Sequence, residues 1–299
     1  MTGRNNPPSR PHPSAGLALL VALAACGGGG GGSRTTPAPP APPTPGPGAW
    51  TLVFADEFDA PGSPDPGRWT YDLGYVANNE AQYYTSRTEN VRVEDGALVI
   101  EARREPWAGY EYTSGRVKTQ GIVEFLYGRA EVRAKLPTGR GTWPAIWMLG
   151  ANIDQVGWPA CGEIDVMENV GFDPRTVVAS VHTAAYNHAQ GTQRSATTRL
   201  ASPAPWEDFH VYAMEWYPDR IDVFVDGRKY FTFRNEGTGS PTWPFDRSHF
   251  LILNLAIGGT WGGQQGIDDS PFPHRMLVDY VRVFEARQVL PTTVVHTAN

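Results

Sequence analysis

The sequence contains few cysteines and no apolar run long enough to span a membrane. Two cysteines occur in 299 residues, too few for a fold held together by several disulfides. The one long apolar stretch, residues 15–25, is shorter than the about 20 residues that a transmembrane helix needs. These shortages exclude a disulfide scaffold and a helical membrane protein.

Positive charge is also scarce, with 25 Lys and Arg side chains against 31 Asp and Glu and a formal net charge of −6. Cleavage after residue 25 would remove two arginines and no acid, which lowers −6 to −8. Nucleic-acid binding relies on Lys and Arg side chains that neutralise phosphates, so this balance disfavours nucleic acid as a partner. A polyanion of any other kind would usually require a basic groove as well, so the composition favours a neutral ligand.

The first 49 residues have the composition of export and linker segments. Two arginines precede the apolar stretch 15–25, and Cys26 follows it directly. This order predicts a signal peptide at residues 1–25 and lipidation of Cys26, which would anchor the exported protein to a membrane of the cell envelope. An ordinary signal peptide with an incidental cysteine is the alternative. Residues 26–49 include six consecutive glycines and a Pro-, Ala- and Thr-rich stretch, which predicts a linker.

Residues 50–286 have the pattern of one all-β domain, followed by a tail at residues 287–299. Asp95-Gly96 and Asp226-Gly227 each lie between alternating apolar residues, a strong short-range signal for a β-hairpin. Residues 130–136 alternate in the same way. Helical periodicity is nearly absent, so we predict a sandwich of two antiparallel sheets. We expect the protein to be a monomer.

Residues 163–168 place three carboxylates within a largely apolar stretch that has the character of a strand. Side chains alternate between the faces of a strand, so Glu163 and Asp165 share one face and Glu168 should point the other way. One extra residue, inserted as a β-bulge at about Val166 and Met167, would return Glu168 to the first face. The spacing therefore predicts a bulged catalytic strand.

Two carboxylates on opposite sides of a groove can hydrolyse a glycosidic bond, because one can attack the sugar while the other transfers protons. Asp165 between them would favour retention of a proton and so raise the pKa of the acid partner. Three unrelated acids on a solvated strand are the alternative. Two tryptophans just upstream and His182 just downstream favour the catalytic interpretation.

Several segments, taken together, carry a resemblance to a known family. They are residues 54–58, 78–84, 127–129, 143–149, 163–168, 258–263 and 278–284. The chain resembles glycoside hydrolase family 16, in particular its laminarinase-type endo-β-1,3-glucanases, over nearly all of residues 50–285. The resemblance implies a concanavalin-like jelly roll with a substrate cleft along its concave sheet. It also implies that Glu163 is the nucleophile, that Asp165 assists it and that Glu168 is the acid/base.

The six-residue acid motif resembles the laminarinase and agarase branches of the family rather than the lichenase and xyloglucan-transferase branches. Two places depart from the family pattern: Asn169 stands where laminarinases often have His, and residues 259–262 replace the commoner Gly-Asn-Trp-Pro. We therefore expect retaining endo-hydrolysis of β-1,3-glucosidic bonds in β-glucans such as laminarin. Hydrolysis of mixed-linkage glucan or agarose, transglycosylation and a non-catalytic glucan-binding lectin remain open.

Three of the ten tryptophans are expected to stack on sugar rings, because they lie beside the acids or in a glycine-rich loop. They are Trp143, Trp147 and Trp261. Other tryptophans, Trp69, Trp107 and Trp216 among them, have no such support, and core packing is the usual role of such large rings. Polar residues expected to bond sugar hydroxyls or orient the acids are Asn78, Glu80, Arg129, His182 and Gln265.

Catalysis as expected here uses no cofactor. The resemblance implies one structural calcium on the convex side, held through Glu57, Gly96 and Asp279, and the alternative is that these are ordinary surface residues. Cys161 lies two residues before Glu163 but lacks the histidine-paired context that a nucleophilic thiolate needs. We expect Cys161 to be a small buried side chain without a disulfide.

Overall fold

In the described part of the chain, residues 50–286 and 295–296 of the computed structural model, nearly all of the regular secondary structure is β-strand. In chain order these are β1 (Trp50–Asp56), β2 (Thr70–Tyr71), β3 (Gln82–Tyr84), β4 (Val91–Glu94), β5 (Ala97–Trp107), β6 (Tyr110–Ser114), β7 (Arg116–Lys118), β8 (Val123–Glu124), β9 (Gly128–Lys135), β10 (Thr142–Gly150), β11 (Glu163–Glu168), β12 (Thr176–His182), β13 (Arg194–Arg199), β14 (His210–Trp216), β15 (Arg220–Val225), β16 (Arg228–Arg234), β17 (His249–Ile257), β18 (His274–Ala286) and β19 (Val295–His296). One helical turn, α1 (Ile153–Val156), and one 3-10 turn, His188–Gln190, interrupt them.

The strands form two large sheets. The larger has the order β16-β15-β14-β9-β18-β5-β6-β3, with β1 added beside β18 and β4 beside β5. The smaller has the order β13-β12-β11-β10-β17-β7-β2, and β19 pairs with β8 apart from both. Pairing is antiparallel in both sheets except between β3 and β6. The predicted architecture of two antiparallel sheets is confirmed.

Tight turns set the register of the two predicted hairpins. Asp95 and Gly96 connect β4 to β5 with φ values of 54° and 75°, and Asp226 and Gly227 connect β15 to β16 with 48° and 74°. Positive φ at both central residues is typical of the type I′ turn, whose twist matches that of the flanking strands. Both hairpin predictions are therefore confirmed.

The hydrophobic core contains alternate side chains from both sheets. In β9, Ala130, Val132 and Ala134 are buried, whereas the residues between them are partly exposed on the outer face. Core packing also accounts for two tryptophans. The indole N–H of Trp69 donates to an oxygen of Asp56 at 2.8 Å, and Trp216 is 1% exposed.

Cys161 is buried, as expected, in a smaller apolar cluster with Leu149, Phe250 and Ile252. Burial, with the nearby charge of Glu163, raises the pKa of its thiol to about 11. A thiol with so high a pKa is protonated at neutral pH, which agrees with a packing role.

The predictions made for residues 1–49 lie outside the described residues, and so does most of the tail at 287–299. In that tail Val295–His296 pairs with β8. Within residues 50–286 and 295–296, no helix combines the length and the hydropathy needed to cross a membrane.

Candidate active site

The acid motif forms β11, and this strand contains the predicted bulge. Against β10, Met167 pairs with Ile146 and Asp165 pairs with Trp147, so Val166 is an extra residue between two adjacent pairs. The register with β12 shifts over the same interval. The bulge prediction is confirmed, at the expected residues.

The bulge brings the three carboxylates to one face of the smaller sheet. Directly paired residues on neighbouring strands share a face. The partners of Glu163, Asp165 and Glu168 on β10 are Leu149, Trp147 and Ala145, respectively. These partners are alternate residues of one strand, so all three acids lie on the same face.

Each outer acid of the cluster accepts a hydrogen bond from a tryptophan. The indole N–H of Trp158 donates to Glu163 Oε2 at 2.7 Å, and that of Trp143 donates to Glu168 Oε1 at 3.0 Å. Hydrogen bonds of this kind stabilise a carboxylate more than a neutral acid. The two glutamates are therefore tuned by separate donors.

His182 lies beside Asp165 and Glu163. Its Nε2 is 3.2 Å from Asp165 Oδ2 and 3.7 Å from Glu163 Oε1, and its strand position is directly opposite Glu163. The first contact is close enough for an ion pair but lacks the angle of a hydrogen bond. His182 therefore lies nearest to Asp165 and Glu163, although it also acts electrostatically on Glu168, near which it was expected.

Burial raises the pKa of all three acids, and repulsion by neighbouring carboxylates adds to this rise for Glu163 and Asp165. For Glu163, burial is the largest cause and the charge of Asp165 adds to it, while His182 and the bond from Trp158 oppose them. Burial and the charge of Glu168 raise the pKa of Asp165 well above its usual range. Burial likewise raises the pKa of Glu168, against the bond from Trp143. The cluster therefore favours holding a proton, as expected from its spacing.

Trp143 also joins the acids to two other predicted site segments. Its ring meets that of Trp261 edge to face, with centroids 5.6 Å apart. The turn that contains Asn78 contacts the loop of Trp261, because Thr260 N donates a hydrogen bond to Asn78 O at 2.8 Å. Gly259 has φ 77°, and a Cβ there would lie 3.0 Å from the Trp143 ring. A glycine is therefore required where this loop approaches the tryptophan.

Glu80 is a buried carboxylate that accepts three hydrogen bonds from protein side chains. They come from Gln82 Nε2 at 2.7 Å, Tyr84 Oη at 3.0 Å and Asn78 Nδ2 at 3.4 Å. Its side chain is thus engaged within the fold rather than free for a sugar. We interpret Glu80 as an organiser of the turn that presents Asn78.

The hydrogen bonds continue from Glu80 to the predicted platform Trp147. Asn254 Nδ2 donates to Tyr84 Oη at 3.1 Å, and Asn254 Oδ1 accepts from Trp147 Nε1 at 2.8 Å. The guanidinium of Arg116 lies over the same indole, 4.7 Å from its centroid. Trp147 is therefore held at its edge and on one face.

The described residues 78–282, more than half of the chain, match the family model "Glycosyl hydrolases family 16". The chain belongs to this family. It is 53% identical to a beta-glucanase of Rhodothermus marinus over 245 residues, which is 79% of this chain and 85% of the relative. The family match identifies the protein as a glycoside hydrolase.

Two solved structures of similar proteins agree closely with this fold. The laminarinase of Rhodothermus marinus is 52% identical, with a TM-score of 0.76, over 79% of this chain and 97% of that one. A non-specific endo-β-1,3(4)-glucanase of family 16 is 50% identical, with the same TM-score, over 82% and 94%. The all-β jelly-roll prediction is thereby confirmed.

In this family 16 enzyme, Arg129 was expected to contact the sugar, but it does not lie on the sheet that carries the three acids. Arg129 is on β9 in the larger sheet and faces away from the core, where it pairs with Glu131 at 2.7 Å and Glu215 at 2.8 Å. Buried and exposed residues alternate in a strand of either sheet, so the sequence pattern did not show which sheet β9 joins. We correct the assignment of Arg129 to that of a largely buried, ion-paired residue on the outer face of the larger sheet.

Gln265 lies in the exposed turn that follows Trp261. Its backbone carbonyl accepts a hydrogen bond from Arg140 at 3.3 Å, while its side chain is open to solvent. A role for Gln265 in sugar binding therefore stays a prediction.

Two of the three residues expected to hold calcium, Glu57 and Asp279, have carboxylates that already accept hydrogen bonds from arginines. Both carboxylate oxygens of Glu57 accept hydrogen bonds from Arg282 at 2.8 Å, and Asp279 accepts one from Arg133 at 2.6 Å. Calcium requires several oxygen ligands around one point, and these carboxylates are already paired with arginines. Their surface-residue alternative agrees better with the structure.

Two residues beside the acids were missed by the sequence analysis. Besides bonding Glu163, Trp158 stacks against His188 with ring centroids 4.8 Å apart, and His188 also contacts His182 at 5.2 Å. Trp158 stands in a Gly- and Pro-rich loop five residues before Glu163, a setting like the one that identified Trp261. That signal could have found Trp158, whereas nothing local identifies His188.

Proposed function

We propose that this family 16 hydrolase cleaves internal β-1,3-glucosidic bonds of β-glucans such as laminarin, with retention of anomeric configuration. The bulged strand β11 carries the proposal, because it directs both glutamates and Asp165 to one face. The relatives named above as a beta-glucanase and a laminarinase support the choice of substrate.

Glu163 is the proposed nucleophile, which must be ionised to attack C1. The bond from Trp158 and the nearby His182 favour that ionised form. Asp165, adjacent on the same face, assists by sharing protons with its neighbours.

Glu168 is the proposed acid/base. Burial favours its protonated form, as an acid must be protonated to donate to the departing O3. After the glycosyl-enzyme has formed, the ionised Glu168 takes a proton from the water that attacks C1. This double displacement requires the two carboxyl groups to be about 5 to 5.5 Å apart.

Trp143, Trp147 and Trp261 are the proposed sugar platforms. A pyranose presents an apolar C–H face that stacks on an indole, while its hydroxyls bond at the rim. Trp143 would both hold the acid/base and stack on the sugar, since its N–H donates a hydrogen bond to Glu168 and its ring contacts Trp261. Asn78, on the adjoining turn, is the proposed hydrogen-bonding partner of a sugar hydroxyl.

The test is reducing-sugar release from laminarin, lichenan, agarose and xyloglucan by the full chain and by the variants Glu163→Gln and Glu168→Gln. We expect release from laminarin that both variants lose by at least a factor of about 10³, since each removes a proton-transfer or covalent step. Proton NMR of the first products should show the β-anomer. Appearance of the α-anomer first would contradict the retaining mechanism.

A second candidate function is hydrolysis of mixed-linkage β-1,3-1,4-glucan. The similar structure described as a non-specific endo-β-1,3(4)-glucanase favours it. Comparable rates on lichenan and laminarin would support this broader specificity. Retention of laminarin on the protein without any release of reducing sugar would instead support the lectin alternative.

We also propose that the exported protein is anchored to a membrane of the cell envelope through lipid on Cys26. The apolar stretch ending directly before that cysteine supports the proposal. Labelled palmitate should be incorporated into the full chain expressed in bacteria but not into its Cys26→Ala variant. Equal labelling of both would contradict the anchor.

A further inference from the structure

An aromatic patch is exposed beside the cleft. Among the described residues, five large hydrophobic side chains are strongly exposed, and three of them, Leu73, Tyr75 and Trp107, belong to two neighbouring segments. Tyr110 connects these segments, because its ring lies 6.5 Å from that of Tyr75 at 16° and its backbone pairs with Trp107. We call Leu73, Tyr75, Trp107 and Tyr110 the rim patch.

The structure holds the rim patch in place from within. Tyr83 packs edge to face against Tyr110, with centroids 5.6 Å apart, and Arg87 lies 4.1 Å from the Trp107 ring centroid on one side. The hydroxyl of Tyr75 accepts a hydrogen bond from Asn79 N at 3.1 Å. Tyr75 nevertheless remains 46% exposed, so its ring is ordered but available.

The first end of the loop that carries Leu73 and Tyr75 is bound to the cleft. Asp72 pairs with Arg116 at 2.7 Å, and Arg116 is the residue that lies over the platform Trp147. This end of the loop is therefore one side chain away from a proposed sugar platform.

The second end of the loop is bound to the cleft as well. Asn78 accepts the hydrogen bond from Thr260, and Thr260 is adjacent to the platform Trp261. The segment between Asp72 and Asn78 is thus joined to the cleft at both of its ends, and we infer that the rim patch continues the aromatic surface of the platforms outward.

We propose that the rim patch binds sugar units of the β-glucan chain beyond those held in the cleft. The inference rests on the proposed function. Aromatic rings offer apolar faces to pyranose C–H faces, and two charged pairs lie nearby, Arg87 with Glu105 and Asp72 with Arg116. A neutral polymer leaving the cleft fits this surface better than a charged ligand does.

The test compares a long and a short substrate. Tyr75→Ala should lower kcat/KM on laminarin about three- to tenfold, the range expected for one lost ring contact, and change it less than twofold on a β-1,3-linked glucotetraose. Tyr75→Phe keeps the ring but loses the hydrogen bond from Asn79 N, and it should keep most of the wild-type kcat/KM on laminarin. Tyr280→Ala is the matched control, since Tyr280 lies beneath Arg282 on the outer face of the larger sheet.

Binding without turnover makes the result independent of hydrolysis. In native gels containing laminarin, Glu163→Gln should be retarded, and adding Tyr75→Ala should reduce that retardation. One outcome is that laminarin retards the protein and Tyr75→Ala weakens that retardation, while neither the wild type nor any variant releases sugar. In that outcome the rim patch is supported and the hydrolytic function is refuted. Hydrolysis of laminarin with equal kcat/KM for wild type and Tyr75→Ala overturns the rim patch alone.

Two further outcomes would overturn the proposal. Equal losses on laminarin and glucotetraose, or a loss in Tyr75→Phe as large as in Tyr75→Ala, would mean that Tyr75 only shapes the loop. Self-association in sedimentation velocity that Tyr75→Ala abolishes would mean that a second copy of the chain covers the patch.

Discussion

The two tryptophan-to-glutamate hydrogen bonds predict opposite changes in the width of the pH profile. Trp158→Phe removes the donor to Glu163 and Trp143→Phe removes the donor to Glu168. Each bond favours a carboxylate, so its loss raises the pKa of that acid. In the proposed mechanism, activity requires ionised Glu163 and protonated Glu168. Trp158→Phe should therefore move the acidic limb upward and narrow the profile, whereas Trp143→Phe should move the alkaline limb upward and widen it.

The distances allow the size of these shifts to be estimated. At 2.7 Å and 3.0 Å both bonds have good length, and a hydrogen bond to a charged group contributes about 1.5 to 3 kcal/mol. The protonated acid still accepts a bond through its carbonyl oxygen, so the difference between the two forms is smaller than the whole bond. At 1.36 kcal/mol per pKa unit we expect shifts of about half a unit to one unit.

The assay is kcat/KM on laminarin from about pH 3 to pH 10, spanning the usual pKa range of carboxylic acids and the raised values expected here. Trp69→Phe is the matched control, because it also removes an indole donor to a carboxylate, Asp56, but in the core. That variant should lose stability and keep the profile of the wild type. If Trp143→Phe moves the acidic limb, the roles assigned to the two glutamates must be exchanged. If both variants move the same limb, the two glutamates are not tuned by separate donors.

Three further predictions concern the network, the buried acids and a tight contact. Glu80→Gln should raise KM for laminarin about fivefold with kcat within twofold, because it replaces an acceptor of three bonds that holds the platforms but not the reacting atoms; an equal loss in kcat and kcat/KM would contradict this. Asp165→Asn should abolish most activity but raise Tm at pH 7 by about 2 to 4 °C. The folded pKa of Asp165 is raised, so the folded protein keeps this proton to higher pH than the unfolded chain does, and stability falls as the pH rises from the unfolded pKa towards the folded one. Calorimetry at pH 4 and pH 7 should therefore show a smaller decrease in stability for Asp165→Asn than for the wild type. Gly171→Ala would place a Cβ in steric clash with the carbonyl oxygen of Gly139 and should lower the free energy of unfolding by about 3 kcal/mol, whereas Gly67→Ala, with its nearest contact at 3.2 Å, should change stability little.

Local sequence patterns were enough for the strands and for the acid motif. The Asp-Gly turns define their hairpins because a type I′ turn is a property of two adjacent residues. The bulge at Val166 follows from counting side-chain alternation along one strand, and the paired strands show the predicted shift. These features depend on residues that are neighbours in the chain.

The arrangement around the acids depends on residues that are distant in the chain. Asn254 and Tyr84, which link Glu80 to Trp147, are 170 positions apart, and no periodicity in the sequence relates them. Their contact exists because β17 pairs with β10 and the β3 segment packs beside it.

The sequence by itself determined the all-β fold, the hairpin registers and the three carboxylates on one bulged strand, since each follows from the alternation and turn chemistry of adjacent residues. Only the tertiary structure decided that Arg129 is ion-paired on the other sheet, that His182 lies beside Glu163, and that Trp158 bonds Glu163. Alternation shows that a strand has two faces, but the choice of sheet and of neighbour is made by pairing between strands far apart in the chain.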